Sequence, residues 1–144
     1  MKTIEPIILP NKWQSPNDED KNSPRLFLQN AFNLQIPIKG GWGYTRDDAV
    51  IIDKFDPIVS KGLPFNGVSY EYIFVEKRIY SEMIVFRAEN DKFSGISWEL
   101  DEQMVTGNDG KNFDVLKFKV CGTHDSGQEC CYDSTYWFDI TSFY

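Results

Sequence analysis

Between Ile96 and Ile140 the apolar residues alternate with polar ones in three separate runs, and this period of two constrains the fold more than any other feature of the chain. Ile96, Trp98 and Leu100 alternate with Ser97, Glu99 and Asp101. Leu116, Phe118 and Val120 alternate with Lys117 and Lys119, and Tyr136, Phe138 and Ile140 flank Asp139. Successive side chains of a strand point to opposite faces, so each run reads as a strand with one buried side. Gly107-Asn108-Asp109-Gly110 supplies a strong turn between the first two. Three such strands make an antiparallel sheet whose apolar face must be covered. Glu99, Asp101, Asp114 and Asp139 lie in these strands or at their ends, so an acidic solvent face on the sheet is expected.

Residues 69–86 offer the cover. Tyr72, Val75, Ile79, Met83 and Phe86 fall at helical spacing on one face. Glu71, Arg78 and Glu82 fall on another, with Arg78 and Glu82 as an i,i+4 pair of opposite charge. Asn66-Gly67 supplies the break before this helix. Val68, Tyr70, Tyr72 and Phe74 also alternate as a strand would, but Glu76-Lys77-Arg78 interrupts that pattern.

A second helix is expected over 24–34. Ser23 can cap it, Pro24 suits its first turn, and Phe27, Ala31 and Leu34 form its apolar stripe before Pro37. Leu26 and Leu28 fit a strand as well. Gly40-Gly41-Trp42-Gly43-Tyr44 reads as a tight turn packing Trp42, and Ala49 to Ile52 as a short buried strand. Asp56-Pro57 and Leu63-Pro64 mark loops. Residues 1–22 read as an N-terminal arm followed by a polar loop, Ser15 to Asn22, carrying Asp18-Glu19-Asp20. The expected fold is α+β: one domain over 1–144, with an antiparallel sheet in the C-terminal half covered by one or two helices.

At 144 residues, 41% hydrophobic and 15% aromatic, the chain can build one core. Its apolar runs are short, and a membrane span needs about 20 apolar residues. Met1 to Pro10 lacks the long apolar stretch of a signal peptide. The cytoplasm is therefore the expected location. Three cysteines, Cys121, Cys130 and Cys131, are an odd number with an adjacent pair, a poor disulfide framework. Reduced thiols are expected.

The net charge of −7 is unevenly spread. Residues 1–88 hold 11 acids and 11 bases, whereas residues 89–144 hold 11 acids and 4 bases. Phosphate binding needs clustered Lys and Arg, so nucleic acid and anionic membrane are disfavoured as partners. A basic protein is favoured, because opposite charge speeds encounter. A solubilising surface would have the same composition.

The residue types of catalysis are sparse. His124 is the one histidine, in the loop-like Gly122-Thr123-His124-Asp125-Ser126-Gly127, and sequence neighbours alone do not orient a nucleophile. Cys121, His124, Cys130 and Cys131 offer four metal ligands at short intervals, a zinc alternative to simple burial of the thiols. Adjacent cysteines rarely reach one tetrahedral ion together. Gly40-Gly41 and Gly43 lack the Lys-Ser or Lys-Thr of a phosphate loop. The pairs Asp47-Asp48 and Asp101-Glu102 are what glycosidase chemistry requires, but 22 acids make pairing inevitable. Thr45 and Asp48 are spaced as a local cap. The four Trp, seven Tyr and eleven Phe include candidate interface anchors, although most are expected in the core.

An acidic sheet, Gly40-Gly41-Trp42-Gly43-Tyr44 running into Asp47-Asp48-Ala49-Val50-Ile51-Ile52-Asp53, and the lack of a catalytic set together resemble the small immunity proteins of bacterial polymorphic toxins, including contact-dependent inhibition systems. The resemblance is one of type over the length of the chain, and it implies no topology. It implies tight binding to one cognate toxin domain, often a basic nuclease, with no catalytic residue and no cofactor. On charge, the partner-binding candidates are Asp47, Asp48, Glu99, Asp101, Glu102, Asp109 and Asp114, with Trp98 as an aromatic anchor. The alternatives are a small carboxylate-dependent hydrolase, a zinc-stabilised interaction adaptor built on the Cys and His cluster, and a scaffold subunit.

Overall fold

The computed structural model describes residues 1–13 and 23–144. The expected loop 15–22 lies outside them. Six strands and two helices follow one another as β1 (Lys2–Thr3), α1 (Pro24–Phe32), β2 (Ile38–Gly40), β3 (Val50–Ile52), α2 (Gly67–Tyr80), β4 (Phe93–Asn108), β5 (Lys111–His124) and β6 (Glu129–Asp139). The fold is α+β as expected, with the long strands in the C-terminal half. They pair in the order β2-β3-β6-β5-β4, with β1 also paired to β6. β4, β5 and β6 are antiparallel, while β1 and β3 lie parallel to β6.

The Gly107 to Gly110 signal closes the β4–β5 hairpin. Asp109 and Gly110 sit between the strands with φ of 53° and 78°. Two left-handed residues give the turn whose twist matches that of the flanking strands.

Register sorts the side chains. Leu116, Phe118 and Val120 of β5 and Tyr132, Tyr136 and Phe138 of β6 are buried on one side, under α2. Phe74, Val75, Ile79 and Met83 of the helical segment join them, each 1% exposed or less. Burying such a side chain stabilises the fold by about 1.5–3 kcal/mol. The expected helix 69–86 is thus present, but its end differs: after Tyr80 the backbone widens into a π-helical turn, Ser81–Val85. Asn66 caps the start, its side-chain oxygen accepting from the Ser69 N–H at 3.2 Å.

The charged face expected for this helix is corrected. Glu71, Arg78 and Glu82 are not at the surface but buried, at 1%, 1% and 0% exposure. The helix is covered on more than one side, because the loop carrying Trp42 and Tyr44 packs against it as well as the sheet. Tyr72, expected on the apolar face, is 40% exposed.

α1 ends at Phe32, where Asn33 takes a left-handed conformation (φ 51°) and its N–H bonds to the Leu28 carbonyl. Ser23 precedes it without the expected side-chain cap. The glycine-rich turn packs Trp42 at 1% exposure. Gly41 is required there, since a Cβ would stand 2.2 Å from the Asp48 carbonyl oxygen.

Candidate functional site

The far side of the sheet carries the charged residues of the alternation. Glu99 is paired with Lys119, Glu102 with Lys117, and Met104 with Val115. Asp101 has no register partner on β5, because the register shifts between Leu100 and Glu102 and leaves it as the extra residue of a bulge. After that shift Gln103 and Val105, not Glu102 and Met104, share the side of Leu100. The Lys117 Nζ to Glu102 Oε2 distance is 3.6 Å. The carboxylates of Glu99 and Asp101 make no salt bridge or side-chain hydrogen bond among the described residues. Leu100, Met104 and Val105 are 38%, 45% and 49% exposed on the same strand.

The other charge-based candidates divide. Asp109 is exposed at the hairpin tip, and Trp98 is half-buried, edge-on to Tyr80. Asp47 is exposed. Asp48 makes the expected local cap, accepting from the Thr45 N–H at 2.6 Å and the Thr45 hydroxyl at 3.0 Å. The 45–48 loop reaches the far side of the sheet, where the Arg46 guanidinium lies 5.3 Å from the Phe113 ring centre. Ala49, Phe113 and Val115 form a small apolar cluster there with Trp137.

Asp114 is a correction: it lies on the helix side, 3% exposed. Its two oxygens accept from Gln103 Nε2 at 3.1 and 3.2 Å. The buried Glu71 carboxyl is pushed up to about 9, chiefly by burial and further by Asp114, so it is neutral near pH 7. Asp139 is another buried acid of the supposed acidic face, and it accepts from the Thr141 N–H and hydroxyl. A single acidic sheet face holding Glu99, Asp101, Asp114 and Asp139 does not exist; alternation places only Glu99 and the bulged Asp101 where a partner can reach them.

A second charged group lies wholly inside. Arg78 Nε donates to Glu82 Oε2 at 3.0 Å, Nη1 to the Trp42 carbonyl at 3.3 Å and Nη2 to Ser134 Oγ at 3.0 Å. Its guanidinium is 3.7 Å from the Tyr44 ring centre and 3.9 Å from that of Tyr136. Glu82 also accepts from Tyr44 at 2.5 Å and Tyr132 at 2.9 Å. Burial, joined by Glu82, raises the Tyr44 and Tyr132 hydroxyls well above the usual phenol range. Burial works to lower Arg78, but Glu82, Tyr136 and Tyr44 together outweigh it, so the guanidinium stays protonated. This ion pair is enclosed by its own partners and presents nothing to a ligand.

The cysteines overturn two expectations. Cys121 and Cys131, cross-strand partners on β5 and β6, form a disulfide. Cys130 points to the opposite side and is a buried free thiol. With two of the four proposed zinc ligands bonded to each other, the Cys121, His124, Cys130 and Cys131 site is lost. Among the described residues no group of three or more His, Cys, Asp or Glu is placed to hold a metal ion. The feature that misled was the odd count; a cross-strand spacing could be recognised only once the β5–β6 register was known.

His124 is tied down at both nitrogens. Nε2 is 2.9 Å from Asp91 Oδ1, and Nδ1 is 2.9 Å from Ser126 Oγ. The Ser126 N–H also donates to Nδ1 at 3.1 Å, which puts the ring proton on Nε2, toward Asp91. Asp125 adds a bond from the Lys92 N–H at 3.0 Å. These contacts close the β5–β6 turn and fasten it to the segment before β4. Serine, histidine and aspartate are together, but Ser126 is part of the turn His124 closes.

No protein-family profile, curated protein or solved structure matches this chain. Among the described residues no helix is long and apolar enough to cross a membrane. A cavity of about 580 Å³ is open and lined by the 54–65 loop, including Lys54, Phe55, Lys61 and Leu63. The raised carboxyl of Glu71 does not line it. β4 is the region that brings half of the expected partner-binding residues together: Trp98, Glu99, Asp101 and Glu102 are consecutive or nearly so on one strand.

Proposed function

We propose that this chain is an immunity protein of the polymorphic-toxin kind, which binds a basic toxin domain and covers the Lys and Arg that the toxin uses on its own substrate. The supporting observation is the exposed stretch from Glu99 to Glu102, acidic and flanked by exposed Leu100 and Met104. Acidic groups speed encounter, while desolvated apolar contacts slow dissociation. Asp47 and Asp109 extend the acidic surface, and Trp98 supports it from beneath. Neither nucleic acid nor a membrane is the proposed partner, and no catalysis or cofactor is involved.

Cytoplasmic action goes with this reading. The Cys121–Cys131 bond is the feature that speaks for an oxidising compartment instead, since cytosolic thiols are kept reduced. Alkylation of the protein in cells, followed by mass measurement, decides between them.

The function is tested by affinity capture from the source cells, followed by a salt titration of what is retained. One basic protein should be recovered, with an association rate that falls steeply with salt. Reversing Glu99, Asp101 and Glu102 together should weaken its capture. A rate independent of salt, or capture indifferent to the reversal, would remove these acids from the mechanism.

A further inference from the structure

Among the described residues β4 is paired on one side only, by β5. Alternate residues of an edge strand turn their N–H and C=O groups outward, where another strand can bond to them. From Glu102 to Asn108 every residue of β4 is in register with β5, so that part of the edge is regular. We propose that β4 receives a further strand, an extended segment of the partner in which Lys or Arg alternates with apolar residues. The proposal rests on the immunity reading for the partner's role, and on the geometry of the edge for the mode of binding.

Charge selects the occupant. Every charged residue of β4 is an acid, Glu99, Asp101 and Glu102. A second copy pairing antiparallel about the Leu100–Asp101 peptide would set Glu99 against Glu102. Pairing about Val105 would set Asp101 against Asp109. Like charges opposite one another destabilise a strand pair, so both registers are disfavoured. A basic strand has the reverse effect: its bases meet Glu99 and Glu102 on the far side of the sheet. Alternation then turns its apolar residues to the helix side, against exposed Leu100 and Val105. The acids that disfavour these two self-pairings thus admit the complementary strand.

The test uses the whole protein and the capped peptide Lys-Val-Lys-Val-Lys-Val-Lys. Two further peptides carry backbone N-methyl groups, one on the Lys residues and one on the Val residues. Only one alternate set of peptide N–H groups can face β4. One methylated peptide should therefore lose at least about tenfold in affinity, close to 1.4 kcal/mol, while the other binds as the parent does. Amide exchange in β4 should slow when the parent peptide binds, and E99K/E102K should weaken binding by a similar factor. Equal binding of both methylated peptides would mean charge attraction alone, and would overturn strand addition. A dimer in light scattering, with β4 amides protected as protein concentration rises, would overturn it in favour of a second copy. If strand addition fails while capture still recovers a basic toxin, the immunity reading stands without it. If the peptides show the expected alternation and no basic protein is captured, the edge site stands and the immunity reading falls.

Discussion

Arg78 and Glu82 on the helical segment, and Glu99 to Glu102 on β4, use the same chemistry in opposite surroundings. The first pair is 1% exposed or less, and each guanidinium nitrogen and both carboxylate oxygens are hydrogen-bonded inside the protein. The second group stands in water, with a single ion pair among the described residues, Glu102 to Lys117 at 3.6 Å. A buried charge is stable only when its partners replace water, and it costs heavily when one of them is removed. An exposed charge costs little and remains free to meet another molecule. The inner pair thus serves structure, and exposure leaves the outer group available to another molecule.

The largest effect should come from breaking the inner pair. Arg78→Met leaves the Glu82 carboxylate buried with only the two tyrosine hydroxyls, and should cost about 3–5 kcal/mol in urea unfolding. A loss below about 1 kcal/mol, the range of a surface ion pair, would mean that the pair is far better hydrated than its burial implies. Reducing Cys121–Cys131 comes next. It opens a crosslink spanning a sequence separation of 10 on the far side of the sheet. The expected loss is about 2–3 kcal/mol, read as a lower Tm in the presence of a reductant.

Glu71 gives the inner region a pH signature. Below the ordinary carboxyl range near 4.5 the folded and unfolded chains both hold its proton. Between there and about 9 only the folded chain keeps it, so stability falls as pH rises and the loss is complete above about 9. The slope from this group is at most about 1.4 kcal/mol per pH unit. Glu71→Gln should flatten the decline between pH 5 and 9, and an unchanged slope would show that Glu71 titrates normally. The lowered carboxyls act in the opposite sense. Asp56 is held down by Arg25 against the effect of burial, and Asp91 by His124; both lose their contribution only as pH falls below the ordinary carboxylate range.

What the sequence made legible follows the same division. Apolar alternation identified all three long strands, because a slip of one residue would turn Leu116, Phe118 and Val120 of β5 out of the main core. The helix was legible from Val75, Ile79 and Met83 for a similar reason. Charges carry no such signal. Glu71, Arg78 and Glu82 have the spacing of a solvated stripe, and only the arrival of Trp42 and Tyr44 from another part of the chain makes it an interior. Asp114 misled likewise, since its neighbour across the strands, Gln103, satisfies it only because the bulge at Asp101 shifts the phase of β4. The Cys121–Cys131 bond also depends on register. Of the candidate site, Glu99, Asp101 and Glu102 were legible as acids in a strand, but the unpaired edge beside them is a property of strand order, which local pattern does not carry.

The smallest expected effect on stability is therefore the most telling for function. Neutralising Glu99, Asp101 and Glu102 together with E99Q, D101N and E102Q removes three negative charges. It creates no cavity and buries no new polar group. Each position should change stability by no more than about 0.5 kcal/mol, the usual range for surface substitutions. Losing the Glu102–Lys117 contact accounts for part of any cost, whereas the shape of the β4 edge and its exposed Leu100, Met104 and Val105 stay as they were. If these acids serve recognition, the same variant should bind the captured partner more slowly and with a weaker dependence on salt, at nearly unchanged Tm. Should Tm instead fall by as much as it does for Arg78→Met, the outer charges would be structural too, and the contrast between the two regions would collapse.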